Sequence, residues 1–255
     1  MHTAPPLPCT PLRSLSASLA LALLCAAGPA AAHTIWLQAD PAHKNYRVMY
    51  GGHQGKTETY PAEKLKRVTA FDARGNALNV SRQDRKDGVR IQATEAAVLL
   101  AWFDNGWWSK TDKGRSINKP MDEVPGSVSG VHAVKYHKTI AHWGKPAIQV
   151  YNQPFELVPL SAEAPHAGEP LKLKVLLNGK PTAGIKLAFG EEGDDAVSDA
   201  EGIATLTARK GVNRIWSGQR LPLADDARGT ESSIEYSLVF TAAARPAAAK
   251  TAARH

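Results

Sequence analysis

The sequence predicts an all-β protein made of two β-sandwich modules that follow a cleaved signal peptide. Short runs rich in β-branched and aromatic residues recur between turns of Gly, Asn, Asp and Pro. No stretch of twelve residues carries a convincing helical stripe, although residues 132–143 are ambiguous. A 43% hydrophobic content with mean hydropathy of -0.30 excludes a disordered chain and a multi-span membrane protein.

Residues 1–32 have the features of a secretory signal peptide. Arg13 is the one formal charge among them, and residues 15–27 form an apolar run too short to span a bilayer. A run of small residues ending at Ala32 fits the rule for signal peptidase cleavage. Both cysteines would leave with this segment. We therefore expect a periplasmic protein with no disulfide and no thiolate ligand, and one that is not integral to the membrane once processed.

Residues 33–158 are predicted to form the N-terminal module, a β-sandwich, and both modules are expected to be of the Ig-like or transthyretin-like Greek-key type. The tripeptide Asp104-Asn105-Gly106 predicts a tight turn at the end of its most apolar strand. The predicted strands are 46–50, 65–71, 89–92, 97–103, 148–151 and 155–158.

Residues 159–241 are predicted to form a second module. Strict alternation over 171–177 indicates a half-buried strand, and Asn178-Gly179 predicts the hairpin turn after it. Further strands are predicted at 185–189, 203–208, 211–216 and 234–240. The turn sequences resemble those of transthyretin-like and collagen-adhesin-B-like Greek-key modules. The Ala-rich tail, residues 242–255, is predicted to be disordered.

Composition and motifs exclude several classes of function. The formal net charge is +7, but the lysines are scattered with no run of five, so no nucleic-acid partner is expected. The sequence contains no nucleophile elbow, no phosphate-binding loop, no H-E-x-x-H motif and, after processing, no cysteine. We expect a protein that is not an enzyme.

The first residue after the predicted cleavage site is His33. Its new α-amino group and its imidazole Nδ1 could chelate one metal ion in a six-membered ring. One further imidazole would complete a three-nitrogen set suited to copper or nickel. Alternatively, His33 is an incidental first residue.

Four other histidines are candidate metal ligands. His53 lies in the glycine-rich loop Gly51-Gly52-His53-Gln54-Gly55, where a ligand can approach closely. His132, His137 and His142 recur every five residues. Neither a strand nor a helix with this spacing would place all three on one side. They can converge only through a bend, and surface or packing roles are the alternative.

Trp107 and Trp108 are candidate ligand-stacking residues, since they follow the predicted turn at Asp104. Side by side in sequence, they would point in opposite directions and could form a platform for a sugar or an organic metal chelate. The alternative places one of them in the core and the other as a lid on the sandwich edge.

Several segments together resemble the NikM-like family of periplasmic proteins associated with nickel or cobalt uptake. They are the exported start at 32–37, YGGHQGKTETYP at 50–61, VTAFDARG at 68–75, DNGWWSKTDKG at 104–114 and VKYHKT at 134–139. The resemblance covers most of residues 32–240. It implies an all-β, two-module periplasmic protein that handles a divalent metal, and it supports His33 and His53 as ligands.

The sequence therefore predicts a periplasmic protein that binds nickel or cobalt, with copper or iron as less favoured metals, and delivers it to a membrane transporter. Histidine ligands bind in their neutral form, so affinity should fall below about pH 6. A different class of function is also open, namely an envelope module that recognises a carbohydrate, a metal chelate or a protein through the tryptophan-rich tract. A third is a purely structural envelope protein.

Overall fold

Strands make up 54% of the residues that the structure describes and helices 5%, which confirms the all-β prediction. The structure is a computed structural model that describes residues 33–40, 42, 44–51, 56–190 and 195–245. The predicted signal peptide, His53 and the tail from residue 246 onward lie outside these residues. Within the described ranges, every helix is too short or too polar to cross a membrane.

Eighteen strands and three short 3-10 helices are found in the described part of the chain. The strands are β1 (Thr34–Ala39), β2 (Asn45–Gly51), β3 (Thr57–Glu58), β4 (Leu65–Phe71), β5 (Ala77–Leu78), β6 (Ser81–Gln83), β7 (Arg90–Gln92), β8 (Val98–Thr111), β9 (Ser116–Ile117), β10 (Ser127–Ile140), β11 (Phe155–Pro159), β12 (Pro170–Leu177), β13 (Lys180–Pro181), β14 (Lys186–Phe189), β15 (Ala196–Val197), β16 (Ile203–Thr207), β17 (Gly211–Pro222) and β18 (Glu231–Ala242). The 3-10 helices are Ala62–Lys64, Met121–Glu123 and Lys145–Ile148.

These strands form three sheets. One has the order β1-β2-β7-β6, with β3 beside β2. The largest has the order β15-β14-β17-β18-β10-β8-β4-β5, with β9 beside β8. The third has the order β11-β12-β13, with β16 beside β12. In the largest sheet, β10 and β18 are parallel and place His137 beside Ser237, so strands about 100 residues apart in sequence become neighbours.

Two hydrophobic clusters lie against this largest sheet. One joins β1, β2 and β7 to β4 and β8 and includes the fully buried Phe103. The other joins β11, β12 and β16 to β14, β17 and β18, with Tyr236 fully buried. β11, which spans the predicted boundary at residue 158, pairs with β12. The largest sheet itself runs from β4 to β18 and so crosses that boundary.

Two local predictions were wrong. Asp104-Asn105-Gly106 is not a turn, because β8 continues through it to Thr111; the register against β10 shifts there, and Gly106 takes a positive φ of 83°. This is a β-bulge held by pairing on both sides. Residues 148–151 are not a strand, because the 3-10 helix Lys145–Ile148 precedes irregular chain.

Candidate metal site and aromatic cluster

His33 immediately precedes β1, beside the hairpin formed by β2 and β3. The Cα atoms of Thr34 and Gly51 are paired, which brings His33 to the hairpin. Its Nε2 lies 2.8 Å from Oε1 of Glu58. The imidazole also stacks on Tyr50, with ring centroids 5.2 Å apart and an interplanar angle of 12°. The ring is therefore held by a carboxylate and by an aromatic face.

The contact with Glu58 selects one tautomer of His33. A carboxylate only accepts hydrogen bonds, so Nε2 is the protonated nitrogen and the neutral ring carries its lone pair on Nδ1. Nδ1 is the atom required for a chelate with the α-amino group of the same residue. A carboxylate that accepts the other ring N–H is the usual partner of a metal-binding histidine.

Tyr50 is itself fixed by the core beneath it. Its ring stacks on Phe103 with centroids 5.3 Å apart, and Phe103 is fully buried. Tyr60 contacts both rings, and its hydroxyl donates to the carbonyl of Val48 while accepting the N–H of Val89. The stacking face offered to His33 is thus part of the packed N-terminal core.

The second predicted ligand, His53, lies outside the described residues, so its role stays a prediction. In the sequence it follows Gly51 by two positions. Among the described residues, no group of three or more His, Cys, Asp or Glu side chains could hold a metal ion. A site at His33 built from three such side chains would therefore need one from outside them, whereas a chelate through the amino group and Nδ1 of His33 needs only one further ligand.

His137 is a buried core histidine whose two ring nitrogens are both hydrogen-bonded. Nδ1 lies 2.6 Å from Oγ of Ser237, which donates to the carbonyl of Ile35. Nε2 lies 2.7 Å from Oγ1 of Thr139 and accepts the N–H of Leu37 at 3.3 Å. One neutral tautomer, protonated at Nδ1, satisfies all of these contacts. Metal binding by His137 would require breaking them.

Burial, together with the nearby charge of Arg214, lowers the pKa of His137 to about 3. The imidazole is thus neutral in the folded protein. His137 accepts the N–H of Leu37, and Ser237 donates to the carbonyl of Ile35, so both residues are hydrogen-bonded to the backbone of β1. Side chains of the largest sheet therefore anchor the strand that carries His33.

His132 belongs to a separate cluster around Trp107. The two rings stack with centroids 4.4 Å apart and an interplanar angle of 9°, and Nε2 of His132 lies 3.0 Å from Oδ1 of Asp104. The guanidinium of Arg228 lies 4.7 Å from the centroid of Trp107. Two hydrogen bonds from Arg228 to Asp226 hold the pKa of that carboxyl at about 2. The indole of Trp107 is covered on this side of the sheet.

The structure does not bring His132, His137 and His142 together. His132 and His137 are five positions apart in β10, so their side chains point to opposite faces of the sheet. His142 is exposed beyond the end of β10, where its N–H donates to the carbonyl of Ala97.

Comparison with known proteins places the chain in a family. Residues 30–215 match a domain family described as a domain of unknown function, DUF4198. The chain belongs to the DUF4198 family. It is also 32% identical over 225 residues to an uncharacterized protein of Haemophilus influenzae, a match that covers 88% of this chain and 97% of the relative.

In this DUF4198 domain, Trp108 lies on the opposite face of the sheet from Trp107. Trp108 is paired with Val131 and Trp107 with His132, which are consecutive residues of β10, so the two side chains point to opposite faces. The Nζ of Lys64 lies 5.8 Å from the Trp108 ring centroid and donates to Oδ1 of Asn105 at 2.9 Å. Trp107 and Trp108 do point in opposite directions, as the sequence predicted, although both lie within β8.

Sequence reasoning missed the contact of Glu58 with His33 and those of Lys64 with Asn105 and Trp108. Glu58 is separated from His33 by 25 positions, and their contact depends on the pairing of β1 with β2 and of β2 with β3. The hairpin signal at Gly51-Gly52, followed by the polar run from Lys56 to Thr59, was the available indication. Asn105 was interpreted as a turn residue, so its hydrogen bond with Lys64 was not foreseen.

Proposed function

We propose that the processed protein binds a divalent transition metal, nickel or cobalt, in the periplasm and passes it to a membrane uptake system. The ligands are the α-amino group and Nδ1 of His33 after cleavage at Ala32, with His53 as the third. Copper, and less readily iron, would also suit nitrogen donors. The resemblance to NikM-like proteins supports nickel or cobalt.

The hydrogen bond between His33 and Glu58 carries this proposal. A partly exposed histidine that only filled space would need no particular tautomer. Glu58 accepts the N–H at Nε2 and thereby directs the lone pair to Nδ1, which is the nitrogen an amino-terminal chelate requires. Stacking on Tyr50 restricts rotation of the ring, so less freedom is lost when a metal binds.

The test is isothermal titration of Ni²⁺, Co²⁺ and Cu²⁺ into protein that begins at His33. A matched control begins one residue earlier, with an added Ala, and so lacks an amino group on His33. We expect tight 1:1 binding by the first protein and a large loss of affinity in the second. Equal binding by both would refute the amino-terminal chelate, and no binding by either would refute the metal function.

A further inference from the structure

A cavity of about 320 Å³ lies between the hairpin of β8 and β9 and the loop that leads into β10. Small-molecule sites in proteins typically measure about 300–1,000 Å³. Residues 111–113, at the end of the tryptophan-rich tract, form part of its wall, and the proposed metal function does not use them. The cavity is thus large enough for a small ligand, and the proposed metal site does not account for it.

Backbone hydrogen bonds fix the frame of this cavity. Within the hairpin, the N–H of Thr111 donates to the carbonyl of Arg115 at 2.9 Å, and the N–H of Arg115 donates to Oγ1 of Thr111 at 3.2 Å. The N–H of Asp112 donates to the carbonyl of Gly126 at 3.2 Å and so ties the hairpin to the residue before β10. A site whose frame exists before the ligand arrives loses less freedom on binding.

Three charged side chains without a partner line the cavity. Asp112, Lys113 and Arg115 form no ion pair and no side-chain hydrogen bond with any residue that the structure describes. The other two charged residues of the lining, Lys119 and Glu123, form a salt bridge with Nζ and Oε2 3.6 Å apart, so their charges largely offset each other. One carboxylate and two cationic groups are therefore available to a ligand.

The same cavity has an apolar side. Val124 is 6% exposed and Ile117 is half-buried, and both lie in its lining. A hydrocarbon group packed against them would be removed from water, which favours binding. The lining therefore offers a carboxylate, two cations and an apolar surface within one small volume.

This combination fits a zwitterion better than a simple ion. A monocarboxylate could bind Arg115 and Lys113, but it would lie near the carboxylate of Asp112, and like charges disfavour binding. A simple amine could bind Asp112 but would meet the two cations. In a zwitterion the ammonium group can donate to Asp112 while the carboxylate accepts from Arg115, whose guanidinium can form two parallel hydrogen bonds with it.

We infer that this cavity binds a free α-amino acid with an apolar side chain. Arg115 and Lys113 bind the carboxylate, and Asp112 binds the ammonium group. The hydrocarbon side chain lies against Val124 and Ile117. The inference goes beyond the proposed metal function and does not rest on it, because the lining of the cavity, which lies within the described ranges, contains no histidine.

The test is titration calorimetry of the processed protein, without metal, using L-leucine, 4-methylpentanoate and 3-methylbutylamine. The second compound lacks the ammonium group of leucine and the third lacks its carboxylate, while both keep the hydrocarbon chain. We expect 1:1 binding of leucine. Each analogue should bind about tenfold or more weakly, because it leaves a charged group of the cavity without its partner.

Two variants assign the charged groups of the ligand to residues. Arg115→Gln removes a partner of the carboxylate, and Asp112→Asn removes the partner of the ammonium group. Both side chains are exposed, so the fold should be retained. Lys110→Gln is the matched control, because it removes a charge from an exposed position of β8 that does not line the cavity. We expect leucine affinity to fall about tenfold or more in the first two variants and to stay at the parent value in Lys110→Gln.

The other results have clear meanings. Failure of the parent protein to bind leucine would overturn the inference. Equal affinity for leucine and 4-methylpentanoate would also overturn it, since Asp112 would then not bind the ammonium group. A nickel titration of the same protein keeps the two proposals apart: leucine binding that depends on Arg115, without any nickel binding, would support this site and refute the metal function.

Discussion

Lys135 of β10 and Glu235 of β18 form a buried ion pair across the parallel strands that join the two halves of the sheet. Their Nζ and Oε2 atoms are 2.7 Å apart, and the side chains are 3% and 8% exposed. The two residues occupy paired positions in the parallel register. This pairing has to form between strands far apart in sequence, and the ion pair disfavours any register that would separate the two charges.

Removing one member of this pair should be strongly destabilising. Glu235→Gln leaves the ammonium of Lys135 buried without a counter-charge, and a broken buried pair typically costs about 3–5 kcal/mol. We expect the free energy of unfolding, measured by urea denaturation, to fall by about that amount. The double variant Lys135→Met/Glu235→Leu should recover most of the loss, because well-packed apolar residues replace such pairs at little cost. A single variant within about 1 kcal/mol of the parent would contradict this view.

His137 should make the fold sensitive to acid. Its pKa is about 3 when folded, against an ordinary 6.5, so the unfolded chain binds the additional proton between these pH values. The stabilisation that comes from burying neutral His137 is therefore complete above pH 6.5 and is lost as the pH falls toward 3. The shift predicts a loss of about 2 kcal/mol between pH 7 and pH 5.

His137→Gln isolates this contribution. The carboxylates titrate in both proteins, so only the difference in unfolding free energy between the parent and the variant reports the imidazole. We expect the unfolding free energy of the parent, relative to that of His137→Gln, to be about 2 kcal/mol lower at pH 5 than at pH 7. A difference that does not change with pH would show that His137 stays neutral when unfolded or charges freely when folded.

The sequence predicted strands best where local signals and tertiary pairing agree. Leu65–Phe71 was predicted and found with the same bounds, and Asn178 and Gly179 take the positive φ values of 50° and 74° that their hairpin turn needs. The error at Asn105 arose because turn propensity is local, whereas β8 is held there by pairing with β10.

The candidate site was less predictable for a related reason. Composition and the cleavage rule identified His33, but its partner Glu58 depends on the register of three strands. Equal spacing of His132 and His137 gave no information on their separate surroundings, one beside Trp107 and the other inside the core. The parallel pairing of β10 with β18 leaves no local pattern in either strand.

Gly229 should tolerate no side chain while Trp107 remains in place. A Cβ at this position would lie 2.6 Å from Cζ3 of Trp107 and 3.0 Å from the carbonyl oxygen of Gly130. We expect Gly229→Ala to lower the unfolding free energy by about 1–3 kcal/mol, as overpacking does, and to change the near-ultraviolet circular dichroism of the tryptophans.

A double-mutant cycle tests the cause of that loss. In a Trp107→Leu background the closest contact is removed, so adding Gly229→Ala should cost less than about 1 kcal/mol. The same cost in both backgrounds would assign the effect to the backbone around Gly229 and Gly130 instead of to the indole.

Glu58 should control metal affinity without contacting the metal. In processed Glu58→Gln, the amide can donate as well as accept, so the preference for a proton on Nε2 of His33 is weakened. Loss of such an outer carboxylate typically lowers metal affinity 10–100-fold, and we expect that range for Ni²⁺ by titration calorimetry.

Glu63→Gln is a suitable control, since it removes an exposed carboxylate from the same region without touching His33. Fold stability should be nearly equal in the two variants, because the His33–Glu58 pair is partly exposed at 28% and 51%. Unchanged nickel affinity in Glu58→Gln would mean that Glu58 does not select the tautomer of His33, and the chelate would lose its structural support.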